Sequence, residues 1–207
     1  MKKSMTKKSK NSKKSNSKTV AKDRYVSSLK NRFEKDAVNQ LKKKFKLKSS
    51  MATPKIDRIV VNAGIGKWLD SKDMQEKIFN DLKTITGQKP VDTLSKKAVS
   101  GFKIKEGQKI GLKVTLRGQR MYDFLERLIV EALPRIRDFQ GIPVKNFGRR
   151  GNLNIGIKEH TAFAEIDSES LDYTFSFGIN IVNTAQERKQ GIELMKLLGM
   201  PINFEIK

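Results

Sequence analysis

The chain has no cysteine, one histidine and one tryptophan among its 207 residues. Without cysteine there are no disulfides and no thiolate metal sites. The lone histidine, His160, excludes a histidine cluster. No apolar run approaches the roughly 20 residues that cross a bilayer as a helix. The basic helix face of a peripheral membrane protein is missing too. Acid is also scarce: 22 Asp+Glu stand against 44 Lys+Arg, a formal net charge of +22. An excess of that size repels itself unless a polyanion is near. The chain therefore reads as an intracellular, polyanion-bound protein, and nucleic acid is the polyanion that remains.

The basic residues are not spread evenly. Lys2, Lys3, Lys7, Lys8, Lys10, Lys13, Lys14, Lys18 and Lys22 all precede the first acid, Asp23. Residues 1–22 are otherwise Ser, Asn and Thr with almost nothing apolar, so they are expected to be disordered when free. They lack the apolar core of a secretory signal and the amphipathic, arginine-rich pattern of an organelle transit peptide. Two roles fit: a solubilising tail, or an arm that follows phosphates. Residues 23–207 are long enough for one compact domain, with an N-terminal half at about 50–108 and a C-terminal half at about 109–207.

The stretch from Lys109 to Gly141 organises the rest. Ile110, Leu112, Val114 and Leu116 alternate with Lys109, Gly111, Lys113, Thr115 and Arg117. Side chains alternate faces along a strand, so one face is apolar and the other cationic. A glycine turn leads to a helix with Met121, Leu125, Leu128, Ile129, Ala132 and Ile136 at helical spacing. Pro134 ends or kinks it, making PRIRDFQG an exit turn.

The other elements repeat this theme. Val26, Leu29, Phe33, Ala37, Leu41 and Phe45 predict a helix from Asp23 to about Phe45. Ile59, Val61 and Ala63 predict a buried strand face, with Arg58, Val60 and Asn62 on the other side. Ser71 is placed to cap a helix with the stripe Met74, Ile78, Leu82 and Ile85, stopped by Gly87. Val91–Leu94 is a short extended piece. Residues 95–107 have no clean period and read as a long, mobile, basic loop. Leu153, Ile155 and Ile157 alternate with Asn154 and Gly156. Tyr173, Phe175, Phe177, Ile179 and Ile181 alternate with Thr174, Ser176, Gly178 and Asn180. Thr184 and Glu187 have the spacing of a capping box before a last helix with Ile192, Met195 and Leu198. Strands and helices do not alternate strictly, which favours an α+β domain with a mainly antiparallel sheet.

Most catalytic motifs fail. Gly64 and Gly66 follow a strand, but Leu69 stands where a dinucleotide fingerprint needs its third glycine. Trp68 stands where a phosphate-binding loop needs Ser or Thr. His160 has no nucleophile placed beside it and reads as a surface residue. Asp123 and Arg127 are spaced for a solvated ion pair. Glu165, Asp167 and Glu169 read as a solvated acidic turn. No catalytic residue, metal site or cofactor is expected. What stands out is the basic sheet face: Lys109, Lys113, Thr115 and Arg117 beside Arg58 and Asn62. Cations there suit phosphates, and Asn and Thr suit sugar hydroxyls and bases.

The segments IVVNAGIG, TGQKP, GFKIKEGQKIGLKVTLRGQRMYDFLERL, LPRIRDFQG and FGRRGN, in this order, resemble the fifth protein of the large ribosomal subunit, the family that binds 5S ribosomal RNA. PRIRDF is similar to its bacterial branch. The resemblance implies a five-stranded antiparallel sheet with helices on one face. It implies 5S RNA contacts at Asn62, Gln88 and Thr115; Lys89, next to Gln88, is counted with the RNA-binding residues. It also implies that the loop carrying Lys96, Lys97, Phe102, Lys103 and Lys105 lies near the transfer RNA of the peptidyl site. Further implied partners are 23S ribosomal RNA, other proteins of the central protuberance, and a protein of the small-subunit head across an intersubunit bridge. The implied location is the cytoplasmic ribosome. The family usually reads Phe-Asp-Gly-Arg-Gly-Asn where this chain has residues 147–152, FGRRGN. The alternatives from other classes are an RNA-modifying enzyme and a free RNA chaperone.

Overall fold

The computed structural model describes residues 28–166 and 173–203. The basic extension 1–22, Val26 of the first helix, and Asp167 and Glu169 of the acidic turn lie outside the described residues.

The first helix, α1 (28–44), is α-helical at Ser28–Arg32 and Val38–Lys44, with a π turn at Phe33–Ala37 between. Its spacing explains the turn. Leu29, Phe33, Ala37 and Leu41 recur every four residues, and in a pure α-helix each such step drifts by about 40°. A wider π turn absorbs that drift. All four residues stay buried on one face.

Next come β1 (Ile56–Gly64), α2 (Lys72–Thr86), β2 (Val91–Leu94) and β3 (Lys109–Leu116). Ser71 holds the extended backbone of an N-cap, but its side chain makes no cap hydrogen bond, contrary to expectation. Gly87 ends α2 with φ +64°, as a left-handed helix stop requires.

The helix after β3, α3 (119–135), contains a second π turn at Leu128–Ala132 and ends at Arg135. Pro134 lies in its last turn. Pro134 has no N–H to donate, and the helix stops one residue later, with Ile136 already in extended backbone. Burial on α3 is wider than the expected stripe, since Tyr122, Phe124 and Leu133 are buried as well. Two neighbours account for this. Phe33 of α1 lies against Tyr122, and Phe163 stacks on Phe124 with ring centroids 5.8 Å apart.

The chain closes with β4 (Ile142–Pro143), β5 (Leu153–Ile157), β6 (Phe177–Asn183), α4 (Arg188–Leu197) and β7 (Ile202–Asn203). The strand predicted from Tyr173 begins only at Phe177. Its partners stop there: Ile157 of β5 and Ala63 of β1 both pair with Phe177. The predicted capping box does not form either. Helix α4 starts at Arg188, and Thr184 is tied to Lys55 instead, by hydrogen bonds of 2.9 and 3.1 Å.

One antiparallel sheet runs β2-β3-β1-β6-β5, and β4 and β7 form a separate parallel pair. Strand β3 lies between β2 and β1, so strands from both halves of the chain interleave in one sheet. Ile59, Val61, Ala63, Leu112, Val114, Leu116, Ile179 and Ile181 form the buried sheet face. They share a single apolar cluster with residues of all four helices. The α+β class and the five antiparallel strands agree with the sequence reading.

His160, expected at the surface, is fully buried. Its ring stacks on Phe175 at 4.3 Å and on Tyr173 at 5.6 Å. The Phe175 N–H donates to Nδ1 at 3.4 Å, which leaves the proton on Nε2. Nε2 stops 3.8 Å from Asp81 Oδ2, a carboxylate that already accepts from the Tyr173 hydroxyl at 2.5 Å. Burial lowers the His160 pKa, and the nearby Asp81 only partly offsets this. Burial and the Asp81 bond raise that of Tyr173. Below the unfolded value of about 6.5, the unfolded chain takes up a proton that the folded one refuses. Stability is therefore expected to fall as pH drops from 7 towards 5. The slope from this group is at most about 1.4 kcal/mol per pH unit. Thermal melts of the protein and of His160→Asn across that range check it: the variant loses most of the slope.

Candidate nucleic-acid interface

The sheet's second face points away from the helices. Strand register places its residues side by side, because directly paired residues share a face. Asn62 of β1 lies opposite Lys113 of β3, which lies opposite Val91 of β2. On its other side Asn62 lies opposite Gly178 of β6, and Gly178 opposite Gly156 of β5. The neighbouring row runs Thr115, Val60, Asn180 and Asn154. Lys113, Asn62 and Asn154 are exposed, while their strand neighbours Val114, Val61 and Ile155 are buried. Alternation in the sequence thus becomes two distinct faces.

Asp57 gathers two of the expected cations at one end of this face. Arg58 bonds its Oδ2 at 2.6 Å and Arg117 its Oδ1 at 3.0 Å. Gln88 sits beside Thr115, donating its side-chain amide to the Thr115 carbonyl at 3.1 Å. The structure brings Arg58, Asn62, Gln88, Lys113, Thr115 and Arg117 into one region. Lys89 and Lys109 go elsewhere. Both line a cleft between α2 and the β2–β3 edge, with Lys72, Phe79 and Leu112. There Lys109 pairs with Asp92 at 2.6 Å. The cause is the irregular β2–β3 register between Thr93 and Leu94, which breaks the alternation that placed Lys109 with Lys113.

The aperiodic stretch 95–107 is an arm with its own hydrogen bonds. Ser95 N–H donates to Gln108 O at 2.8 Å, and Gly107 N–H to Ser95 O at 3.0 Å. Val99 and Ile104 exchange bonds of 2.9 and 3.1 Å. The tip turns through Ser100–Phe102, with Lys103 at φ +54°. Phe102 is 74% exposed there, flanked by the exposed Lys96, Lys97, Lys103 and Lys105. No period marks this arm because irregular backbone bonds, rather than alternating burial, hold it.

One ion-pair expectation changes, and with it the reading of Glu165 as a solvated acid. Arg127 does not pair with Asp123. It bonds Glu165 and donates to the Ile85 carbonyl at 3.1 Å, near the C-terminus of α2, where a cation is favoured. Asp123 instead accepts from Gln119 at 3.0 Å. The segment 147–152, an arginine loop carrying Arg149 and Arg150, closes as a tight turn, with Gly148 N–H to Asn152 O and Gly151 N–H to Gly148 O both at 2.9 Å. Arg149 and Arg150 are left exposed.

Asn154 and Asn180 belong to the open face, and sequence reasoning did not carry them into the interface. Their signal is present in the alternation of β5 and β6, but neither of these strands carries a cation to draw attention to its open side.

Two family profiles match the chain in tandem. One, described as ribosomal protein L5, covers residues 49–105; the other, describing the C-terminus of that same ribosomal family, covers 109–202. The chain is also similar to curated proteins named large ribosomal subunit protein uL5. That of Halothermothrix orenii is 45% identical over 178 residues, covering 86% of this chain and 99% of the relative. That of Syntrophomonas wolfei is 46% identical over 169 residues, with 82% and 95% covered. That of Streptococcus thermophilus is 45% identical over 173 residues, with 84% and 96% covered.

Proposed function

The chain belongs to the ribosomal protein L5 family, and from that premise we propose that its open sheet face binds 5S ribosomal RNA while its β2–β3 arm reaches the transfer RNA of the peptidyl site. As a family member it is a ribosomal protein of the large subunit, structural rather than enzymatic, located in the cytoplasmic ribosome.

The observation that carries the finer reading is the pair Asn62 and Lys113, adjacent and exposed on the sheet face opposite the described helices. Lys113 supplies charge for a phosphate. Asn62 and the Thr115 hydroxyl supply hydrogen bonds to sugars and base edges. Gln88 holds the backbone of β3 at Thr115 and so positions that hydroxyl. Arg58 and Arg117 share one aspartate, which leaves a net positive charge at that end of the face. The arm is suited to a second partner, because its four lysines and Phe102 project beyond the sheet. Contacts with 23S RNA, with neighbours in the central protuberance and with a small-subunit head protein belong to the same proposal.

The test separates sheet from arm. Asn62→Ala and Thr115→Ala are each expected to weaken filter binding to 5S RNA by about three- to tenfold, the worth of one net hydrogen bond. Lys113→Ala is expected to lower the log–log salt slope by about 0.7 to 0.9. Replacing Lys96, Lys97, Lys103 and Lys105 with Ala is expected to leave 5S binding within a few fold. On purified ribosomes the same variant speeds dissociation of peptidyl-site transfer RNA, and Phe102→Ala does so to a smaller degree. Loss of 5S binding in the arm variant with unchanged transfer RNA dissociation refutes the division of roles.

A further inference from the structure

The open face has two chemically different halves. On the strands its cations, Arg58, Lys113 and Arg117, lie on or beside β1 and β3. The strand residues of the β6 and β5 half, Gly178, Asn180, Asn154 and Gly156, carry no charge; charge returns past the end of β5, where Gly156 borders a cavity lined by Arg135, Arg137, Asp138, Lys158 and Glu159. Asn180 lies opposite both Val60 and Asn154, so Asn62, Asn180 and Asn154 form one amide patch across three strands. Within the described residues the side chains of these three asparagines make no hydrogen bond. The patch is not held together internally; its donors and acceptors face outward.

The glycines shape this patch. A Cβ on Gly156 or Gly64 would meet nothing within 4 Å, so the floor beside the amides is open. At Gly178 a Cβ would sit 2.7 Å from Asn62 Oδ1. The Asn62 amide therefore lies across the bare Cα of Gly178, and Gly178 is a positioning residue for it.

We propose that this amide patch is a second reading surface for RNA, taking ribose hydroxyls and base edges while the β3 side takes phosphates. The inference rests on the RNA-binding reading above. An amide carries both a donor and an acceptor, and so matches the 2′-hydroxyl, which is itself both. Uncharged contacts of this kind add affinity without releasing counterions, so they leave no mark on the salt dependence.

The experiment is binding of 5S ribosomal RNA to the full chain at several salt concentrations, with a thermal melt of each variant. The Asn154→Ala, Asn180→Ala double variant is expected to bind about ten-fold more weakly, with an unchanged log–log slope. Gly178→Ala is expected to melt no lower than the parent, because the group it displaces is the free end of an exposed side chain. It is expected to weaken binding several-fold, and to have no further effect once Asn62 is already Ala. Normal binding by the double variant and by Gly178→Ala, with Asn62→Ala and Lys113→Ala still impaired, overturns this inference and spares the proposed function. Normal binding by all of them overturns both. Normal 5S binding with failed incorporation into large subunits assigns the amide patch to a protein neighbour, and overturns it as well.

Discussion

Val114→Asp is expected to abolish the folded state, whereas Thr115→Ala, one residue along the same strand, leaves the melt nearly unchanged. Val114 is 1% exposed and pairs with Val61 of the central strand, itself fully buried. The substitution removes about 2 kcal/mol of apolar burial. It also places a carboxyl where the surrounding side chains are aliphatic, and an unsatisfied polar group there costs roughly 2 to 7 kcal/mol more. Together these rival the whole stability of an ordinary domain, roughly 5 to 15 kcal/mol. Thr115 sits on the open face, where loss of a hydroxyl exposes nothing. Far-ultraviolet circular dichroism and a urea titration of the two variants check the contrast. A folded Val114→Asp together with an unfolded Thr115→Ala would reverse the faces of β3 and remove Thr115 from the interface.

That contrast is legible in the sequence because burial on a strand has a period of two, which β5 and β6 keep throughout and β1 and β3 keep from Ile59 and Leu112 onward. Helix stripes are legible for a similar reason, although the stripe on α3 is wider than its spacing suggests. Its Phe124 and Tyr122 are buried by Phe163 and by Phe33 of α1, contacts between segments far apart in the chain. No local period encodes such contacts. His160 escapes sequence reasoning on the same grounds. A histidine beside Glu159 looks exposed until Tyr173 and Phe175 close over it. The capping box at Thr184 has the correct spacing, but Thr184 is taken by Lys55, and a local motif loses to that non-local pairing. On the candidate interface, the placement of Lys113, Thr115, Asn62 and Arg58 on the open face follows from alternation alone. Lys109 does not, because the register irregularity at Thr93/Leu94 is set by the partner strand. The Arg127–Glu165 bond and the Gln88–Thr115 bond likewise join segments whose proximity only the fold decides.

A contact between two glycine backbones yields the second large effect. Gly191 of α4 faces Gly151 of the arginine turn so closely that a Cβ on Gly191 would lie 2.5 Å from both the Gly151 Cα and its carbonyl oxygen. A Cβ on Gly151 would lie 2.7 Å from the Gly191 Cα, and Gly151 also holds φ +73°. The Asn183 side chain bridges the same place, donating to the Gly151 carbonyl at 2.5 Å. Alanine at 191 favours the helix by up to about 1 kcal/mol over glycine. Against this, the obstructing atoms are backbone, which cannot rotate aside. Helix α4 must move off the turn, at an overpacking cost of about 1 to 3 kcal/mol and loss of the Asn183 bond, about 1 kcal/mol more. The cost wins. Gly191→Ala is expected to lower Tm by about 5 °C or more, at about 2 to 4 °C per kcal/mol for a domain of this size. Gly151→Ala is expected to lower it further, since it adds left-handed strain and gains no helix propensity. The double variant is expected to fall short of the summed losses, because a helix already displaced by one methyl leaves room for the second. Strict additivity in the three melts would mean that the two glycines do not share one contact. The same displacement frees the turn that presents Arg149 and Arg150, so any RNA contact made by those two arginines weakens with it.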